Sequence, residues 1–433
     1  MWQALRTLWV LFFGVAMLWF GTGVVHSLLV IRADVEGFST VQIGLLQTSY
    51  QLGWLVAALL APALITRVGH VRVFSAMAAA SSAVIIAHLL VIDPWVWALE
   101  RFLMGICTAV LMVVCESWLN DMSENTVRGK VLGLYTIVAW GAPMLGVWML
   151  RFGSTESILF FIIASMCISI AVVPMLLSAS RTPPFIDTER LNLARLYRKT
   201  PLGVIGALLS GVCHGAFFAT VAIYGTVSQF SVTEISTLIA IALGGGVLTQ
   251  WPIGMLSDRF DRRLVLATVA GVGAVLGLYY GVVGASTVAA SYTATFCLSC
   301  CVLGLYSQCI AHTNDHLGSR EIVPAAGTLI LLYGLGFAAA PAIVSPLLDQ
   351  STDYFFLING GLMGVLATVV LYRMTRREAV ADQGDLVVVS TQSPYTSVVT
   401  AAEQWADGDA EPGTPNTENA ASEHAADQSG SKT

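Results

Sequence analysis

The chain has 433 residues, of which 56% are hydrophobic and only 11% charged. Soluble domains carry about 25% charged residues, so a water-exposed globule is excluded for want of polar surface to cover it. The net charge of −6 misleads, because residues 378–433 hold ten acids against one base, Lys432; the remainder stands at +3, with no basic excess to attract nucleic acid.

Twelve long apolar runs predict twelve membrane-spanning helices, at 7–31, 41–66, 73–92, 95–119, 131–151, 157–178, 202–228, 234–256, 264–283, 287–311, 326–348 and 354–373. A run such as Leu264–Val283 carries no charge, and about 20 apolar helical residues cross a hydrocarbon core of about 30 Å. The lipid offers the backbone no hydrogen bonds, so each run is expected to span as a helix. The first run is too long for a signal-peptide core and is taken as a retained helix. Short links at Asp93-Pro94 and Gly284–Ser286 imply antiparallel neighbours, whereas Leu177–Pro201 is a long polar connection rich in Arg and Lys. The expected organisation is an all-α membrane protein: a six-helix half (1–178), a cytoplasmic central linker (179–201), a second six-helix half (202–377) and a disordered acidic cytoplasmic tail (378–433). The tail is too poor in apolar residues to offset chain entropy.

Alternate loops carry 17 Lys and Arg on one side and two, Arg32 and Arg151, on the other. By the positive-inside rule both termini are cytoplasmic. The halves also look like copies. A shift of 192 residues lays Arg67–Arg72 on Arg259–Leu264 and Gly53 on Gly245; a shift of 194 lays Cys115–Asp121 on Cys309–Asp315. Parallel repeats of this kind occur in transporters, with the solute site between the repeats.

All eight cysteines fall inside predicted helices, so no disulfide framework is expected. Cys297, Cys300 and Cys301 share a helix face, which suits either a soft-metal site or small apolar packing groups. No His or Met completes a ligand set nearby, and no metal or cofactor is expected. Nucleophile-elbow, zinc-protease and phosphate-loop motifs are not found, so neither an enzyme nor ATP-driven transport is expected. On the fourth run, Glu100 and Arg101 are costly in hydrocarbon. They either turn to the bundle interior or lie shallow enough beneath Trp95 and Trp97 to snorkel outward. Glu116, near the other end of that run, is either a proton-coupling carboxylate or a structural acid at the cytoplasmic gate.

The segment Gly254-Met-Leu256-Ser-Asp258-Arg259-Phe-Asp261-Arg262-Arg263 resembles the loop signature of the major facilitator superfamily, with Asp261 in place of its second glycine. The resemblance implies a latch between two six-helix halves, with Asp258 facing the start of the fifth helix near Arg128-Gly129-Lys130. The first-half counterpart keeps Leu64, Arg67 and Gly69 but has Pro62 for the glycine and Thr66 for the acid. Arg101-Phe-Leu-Met104-Gly105 is similar to the family's Arg-x-x-Gln-Gly signature. Gly141-Ala-Pro143-Met-Leu-Gly146 is close to its antiporter signature, with one extra residue; helix packing is the alternative. Glu116-Ser-Trp118-Leu-Asn120 with Arg128-Gly129 and Asn314-Asp315 looks like the bacterial YcaD-like branch. In the family's arrangement the first, fourth, seventh and tenth helices line the cavity. That makes His26, Arg101, Glu116, His214, Tyr306 and Gln308 lining candidates, with Tyr50 and Gln51 added from the second helix.

The expectation is a secondary active transporter in the bacterial inner membrane. It moves a small organic solute by alternating access, driven by a proton gradient, as a monomer in the bilayer. The alternatives are an exporter of amphipathic drugs or lipids and a non-transporting solute sensor on the same scaffold.

Overall fold

A computed structural model describes residues 2–121, 128–177, 192–285 and 287–376; residues 178–191, most of the central linker, and the acidic tail lie outside them. The described residues form α1 (Trp2–Val35), α2 (Thr40–Val68), α3 (His70–Ala87), α4 (Pro94–Asp121), α5 (Arg128–Met149) with a 3-10 turn (Leu150–Phe152), and α6 (Leu159–Leu177). After the linker come α7 (Leu193–Lys199), α8 (Pro201–Phe218), α9 (Val221–Val227), α10 (Val232–Arg259), α11 (Arg262–Val283), α12 (Val288–Val302), α13 (Leu305–Asn314), α14 (Ser319–Leu348) and α15 (Tyr354–Met374). Among the described residues ten helices are long and apolar enough to cross a membrane, and two shorter apolar stretches, Ile137–Phe152 and Leu159–Pro174, lie between them.

Each expected run is a helix, with two kinds of difference. The run at 202–228 is broken between α8 and α9, and the run at 287–311 between α12 and α13. The first break leaves backbone carbonyls without helical partners inside the bundle, and side chains take them up: Gln47 Nε2 donates to Ala219 O at 3.4 Å and Asn359 Nδ2 to Ala216 O at 3.3 Å. Such breaks are tolerated in a membrane where protein covers them. The other difference is α7, a helix of about two turns inside the expected linker. Asn192 caps it by accepting from Ala194 N. Arg195 and Lys199 clasp Glu321 at the start of α14, at 2.7 and 2.5 Å.

Packing repeats along the chain. α2 packs on α4, α1 on α5 and α6, and α3 on α4 and α6; correspondingly α10 packs on α12, α8 on α14 and α15, and α11 on α15. The 192-residue offset reappears in local detail. Ser39 caps α2 in a capping box with Gln42, and Ser231 caps α10 in a capping box with Glu234, each satisfying two orphan N–H groups. Gly53 lies so close to α4 that a Cβ would strike the Phe102 carbonyl oxygen, and Gly245 lies so close to α12 that a Cβ would strike the Ser299 hydroxyl, with Phe296 next nearest. Gly277 faces Gly360 across α11 and α15, backbone against backbone. Close approach of this kind is how membrane helices associate without a hydrophobic driving force.

The two sets of helices meet chiefly where α2 packs on α14, α5 on α10 and α1 on α9. Thr40 Oγ1 donates to Asp349, Ala342 N donates to Thr48 Oγ1 at 3.2 Å, and Gly44 is pressed on Pro341 and Ser345. These contacts gather at the end of the bundle that holds the turns 36–39 and 349–353, away from the chain ends.

Candidate functional site

A cavity of about 230 Å³ lies where the two sets of helices face each other. Its wall is aromatic, with Trp19, Trp54, Trp140, Phe218, Tyr333 and Phe337, and polar groups are spaced through it: His26, Tyr50 and Gln51 from α1 and α2, and His214 from α8. Leu303, at the break between α12 and α13, also reaches it. The lining therefore comes from α1, α2, α5, α8, α9, α10 and α14; among the described residues α4 contributes none.

Arg101 lies one layer behind the wall, 1% exposed. Its guanidinium donates to Gln47 Oε1 at 2.6 Å, approaches His26 Nδ1 at 3.0 Å and lies 4.2 Å above the Tyr50 ring centre. Snorkelling is thereby ruled out for this side chain. Close approach of α2 to α4 at Gly53 and Gly105 brings Gln47 and Tyr50 within its reach. His26 stacks edge-on against Tyr50 at 5.1 Å.

Glu100 points elsewhere, to His88, with Nδ1 and Oε2 3.4 Å apart; the same Nδ1 is 2.8 Å from Val84 O. Trp97 closes this second cluster by donating to the His88 and Val91 carbonyls. Glu116, also 1% exposed, accepts from Tyr135 Oη at 2.8 Å, which joins α4 to α5 away from the cavity. In the second set, Tyr306 stacks on Tyr333, whose ring reaches the cavity, at 4.3 Å. Gln308 instead accepts from Ser257 Oγ at 2.6 Å. The structure thus brings together His26, Tyr50, Gln51, Arg101 and His214, leaves Tyr306 just behind them, and places Glu100, Glu116 and Gln308 in separate contacts.

The loop signature forms a charged knot between α10, α11 and α13. Arg262 is buried, its Nε 3.2 Å from Asp315 Oδ2 and its Nη2 4.0 Å from Asp258 Oδ1. Asp261 caps α11 through Arg263 N and pairs with Arg263 Nη2 at 2.8 Å. That hydrogen bond from Arg263 holds the Asp261 carboxyl below the usual carboxylate range. Arg259 is exposed, and Gly254 is buried on α10. The contact expected between Asp258 and the Arg128–Lys130 side chains lies outside the described residues. In the first set, Gly69 ends α2 with φ +89°, a conformation that favours glycine, and Arg67 is exposed beside it. His70, at the position matching Arg262, reaches Ser117 Oγ at 3.1 Å. Both turns are therefore fastened to the end of the helix beyond.

Sequence reasoning missed Gln47, His88, Tyr135 and His70. Gln47 had a signal, since it lies one turn from Gln51 and Tyr50 on a run that is otherwise apolar on that side. Cys300 donates weakly to Gly245 O at 3.5 Å and Cys301 packs under Gly273; among the described residues no three metal-ligating groups come together.

The family model described as Major Facilitator Superfamily matches residues 8–341 and 229–400. An uncharacterized MFS-type transporter of Yersinia pestis is 26% identical over 378 residues, covering 84% of this chain and 95% of its own. The uncharacterized MFS-type transporter YcaD of Escherichia coli is 27% identical over 371 residues, covering 85% and 96%. Among solved structures, the nucleoside transporter NupG superposes with a TM-score of 0.67 at 13% identity, covering 87% of this chain and 100% of that one. A bacterial homologue of the lysosomal transporter Spinster, inward-facing and occupied, gives 0.67 at 15% identity, covering 86% and 97%. At such identities the structural likeness speaks for the fold alone.

Proposed function

The chain belongs to the major facilitator superfamily, in its YcaD-like branch, and is a multi-pass membrane transporter; from that premise we propose that it moves a small organic solute by alternating access between two six-helix halves. The observation that carries this is the cavity, walled by helices from before and after the linker and holding polar groups from both. The twofold recurrence of caps, glycine contacts and helix pairings supports twelve spans in two halves, with α8 and α9 forming one span and α12 and α13 another.

We place the protein in the bacterial inner membrane as a monomer, and put both termini in the cytoplasm on the Lys and Arg count. The Thr40–Asp349 and Thr48–Ala342 contacts then form a closed outer gate. Proton coupling is proposed with Glu116 as the carrier, because a carboxyl buried in an apolar run and hydrogen-bonded to a phenol is suited to exchanging a proton. A cavity mixing histidine, glutamine and hydroxyl groups with aromatic rings favours a small polar-headed solute over a lipid.

Spin labels test the motion without a known solute. With the native cysteines replaced, distances across Thr40 and Asp349 and across Arg67 and Arg259 should each show two populations, shifting in opposite senses. One fixed distance at both pairs, whatever the pH, removes alternating access.

A further inference from the structure

Taking the cavity as the solute site, as proposed above, we infer that the solute carries a negative charge, an organic carboxylate, received at His26 with Gln47 and the Arg101 guanidinium behind it. A guanidinium has only donors to offer. Arg101 Nη2 lies 2.6 Å from Gln47 Oε1 and 3.0 Å from His26 Nδ1, so both of those atoms accept. That turns the Gln47 amide with its NH2 away from Arg101 and leaves the His26 hydrogen on Nε2. The two nitrogens so fixed, His26 Nε2 and Gln47 Nε2, are 3.5 Å apart. They are two donors facing each other with no acceptor between them, although the second Gln47 hydrogen reaches the Ala219 carbonyl. Of the two, His26 lines the cavity and Gln47 is buried behind it, so an oxyanion at the wall accepts from His26 Nε2.

The charge balance points the same way. Arg101 is buried, its Nε makes no hydrogen bond, and the groups touching it are His26, Gln47, Tyr50 and Met104, all neutral. Glu100, its neighbour in sequence, is turned to His88. A positive charge taken out of water calls for a counter-charge, and among the described residues none stands against this one. One guanidinium matches one carboxylate, so the solute is a monoanion. At about 230 Å³ the cavity falls below the usual range for drug-sized ligands, which begins at about 300 Å³. Its aromatic wall takes a short or flat apolar body. The His214 ring, on α8, forms part of the wall across the cavity.

The test reads binding to the purified full chain in detergent, by tryptophan fluorescence from the wall and by thermal unfolding. The probes are butyrate, benzoate and phenylacetate, each against its primary amide. At least one acid should give a saturable response that its amide lacks. Arg101→Gln should weaken that acid by about tenfold or more, as expected for loss of a charge-assisted contact, and Arg101→Lys should restore part of it. His26→Phe, which keeps a ring but loses Nε2, should weaken the acid and leave the amide unchanged. Without ligand, Arg101→Gln should unfold at no lower temperature than the wild type, since it removes an uncompensated charge; a purely structural arginine would give the reverse. Acids and amides binding alike, no acid of the three binding, or an Arg101→Gln protein that fails to fold or unfolds earlier while keeping acid affinity overturns the inference. Binding is measured apart from motion. A protein that binds acids without switching faces sinks the transport reading alone, and one that switches but ignores the acids sinks the anion alone.

Discussion

Replacing Arg262 by Met should destabilise the second half by about 3–5 kcal/mol, the range for stranding one partner of a buried ion pair. The side chains of Arg262 and Asp315 are 2% and 6% exposed, and Nε stands 3.2 Å from Oδ2. At an effective dielectric of about 20, charges at that separation attract by about 5 kcal/mol before desolvation is set against it. Met keeps the apolar stem of the arginine and stops short of its guanidinium, so the change falls chiefly on the Asp315 carboxylate, left buried with its charge. Adding Asp315→Asn should then recover part of the loss, with a coupling energy of about 1–3 kcal/mol in the double-mutant cycle. Denaturant or thermal unfolding of detergent-solubilised protein, followed by tryptophan fluorescence, measures all four corners. An Arg262→Met protein within about 0.5 kcal/mol of wild type, or strictly additive substitutions, would refute the view that this knot is a buried electrostatic bond.

Gly53→Ala should cost about 1–3 kcal/mol through overpacking against the Phe102 carbonyl. Gly141→Ala, with nothing within 4 Å of the added methyl, is the control and should melt at or above the wild-type temperature; equal melting of the two would discount the close α2–α4 contact. Glu321 is held below the usual carboxyl range by the hydrogen bond from Lys199. Its contribution is therefore fully present above the unfolded value and disappears as pH falls through the lower folded one. The stability difference between wild type and Glu321→Gln, under about 1 kcal/mol for so exposed a pair, should vanish on acidification; a difference that grows in acid contradicts the sign. If Glu116 carries the coupling proton, Glu116→Gln should make the spin-label populations insensitive to pH, and an unchanged pH response would discharge it from that role.

The apolar runs marked every membrane-length helix in advance, because lipid leaves the backbone one economical solution. The breaks after Phe218 and Val302 were not legible: both fall inside apolar stretch without proline, and they persist because side chains from other helices, Gln47 and Asn359 at the first break, cap what is exposed. Arg101 was legible as a cost to be explained, but its partners were not. On α2 the sequence singles out Tyr50 and Gln51 and passes over Gln47, one turn earlier, while Glu116 and Gln308 are polar residues with hydrogen bonds, from Tyr135 and Ser257, that lie away from the cavity. Polarity within a run tells that a partner exists; only the crossing of helices tells which.

The grip of Arg195 and Lys199 on Glu321 has a mechanical consequence. Because α7 is tied to the start of α14, it should move with the later helices if the two proposed halves swing past each other. Two separately expressed fragments divided upstream of Leu193 would each retain all of their own fastenings, whereas a division at Pro201 would strand this small helix on the wrong piece.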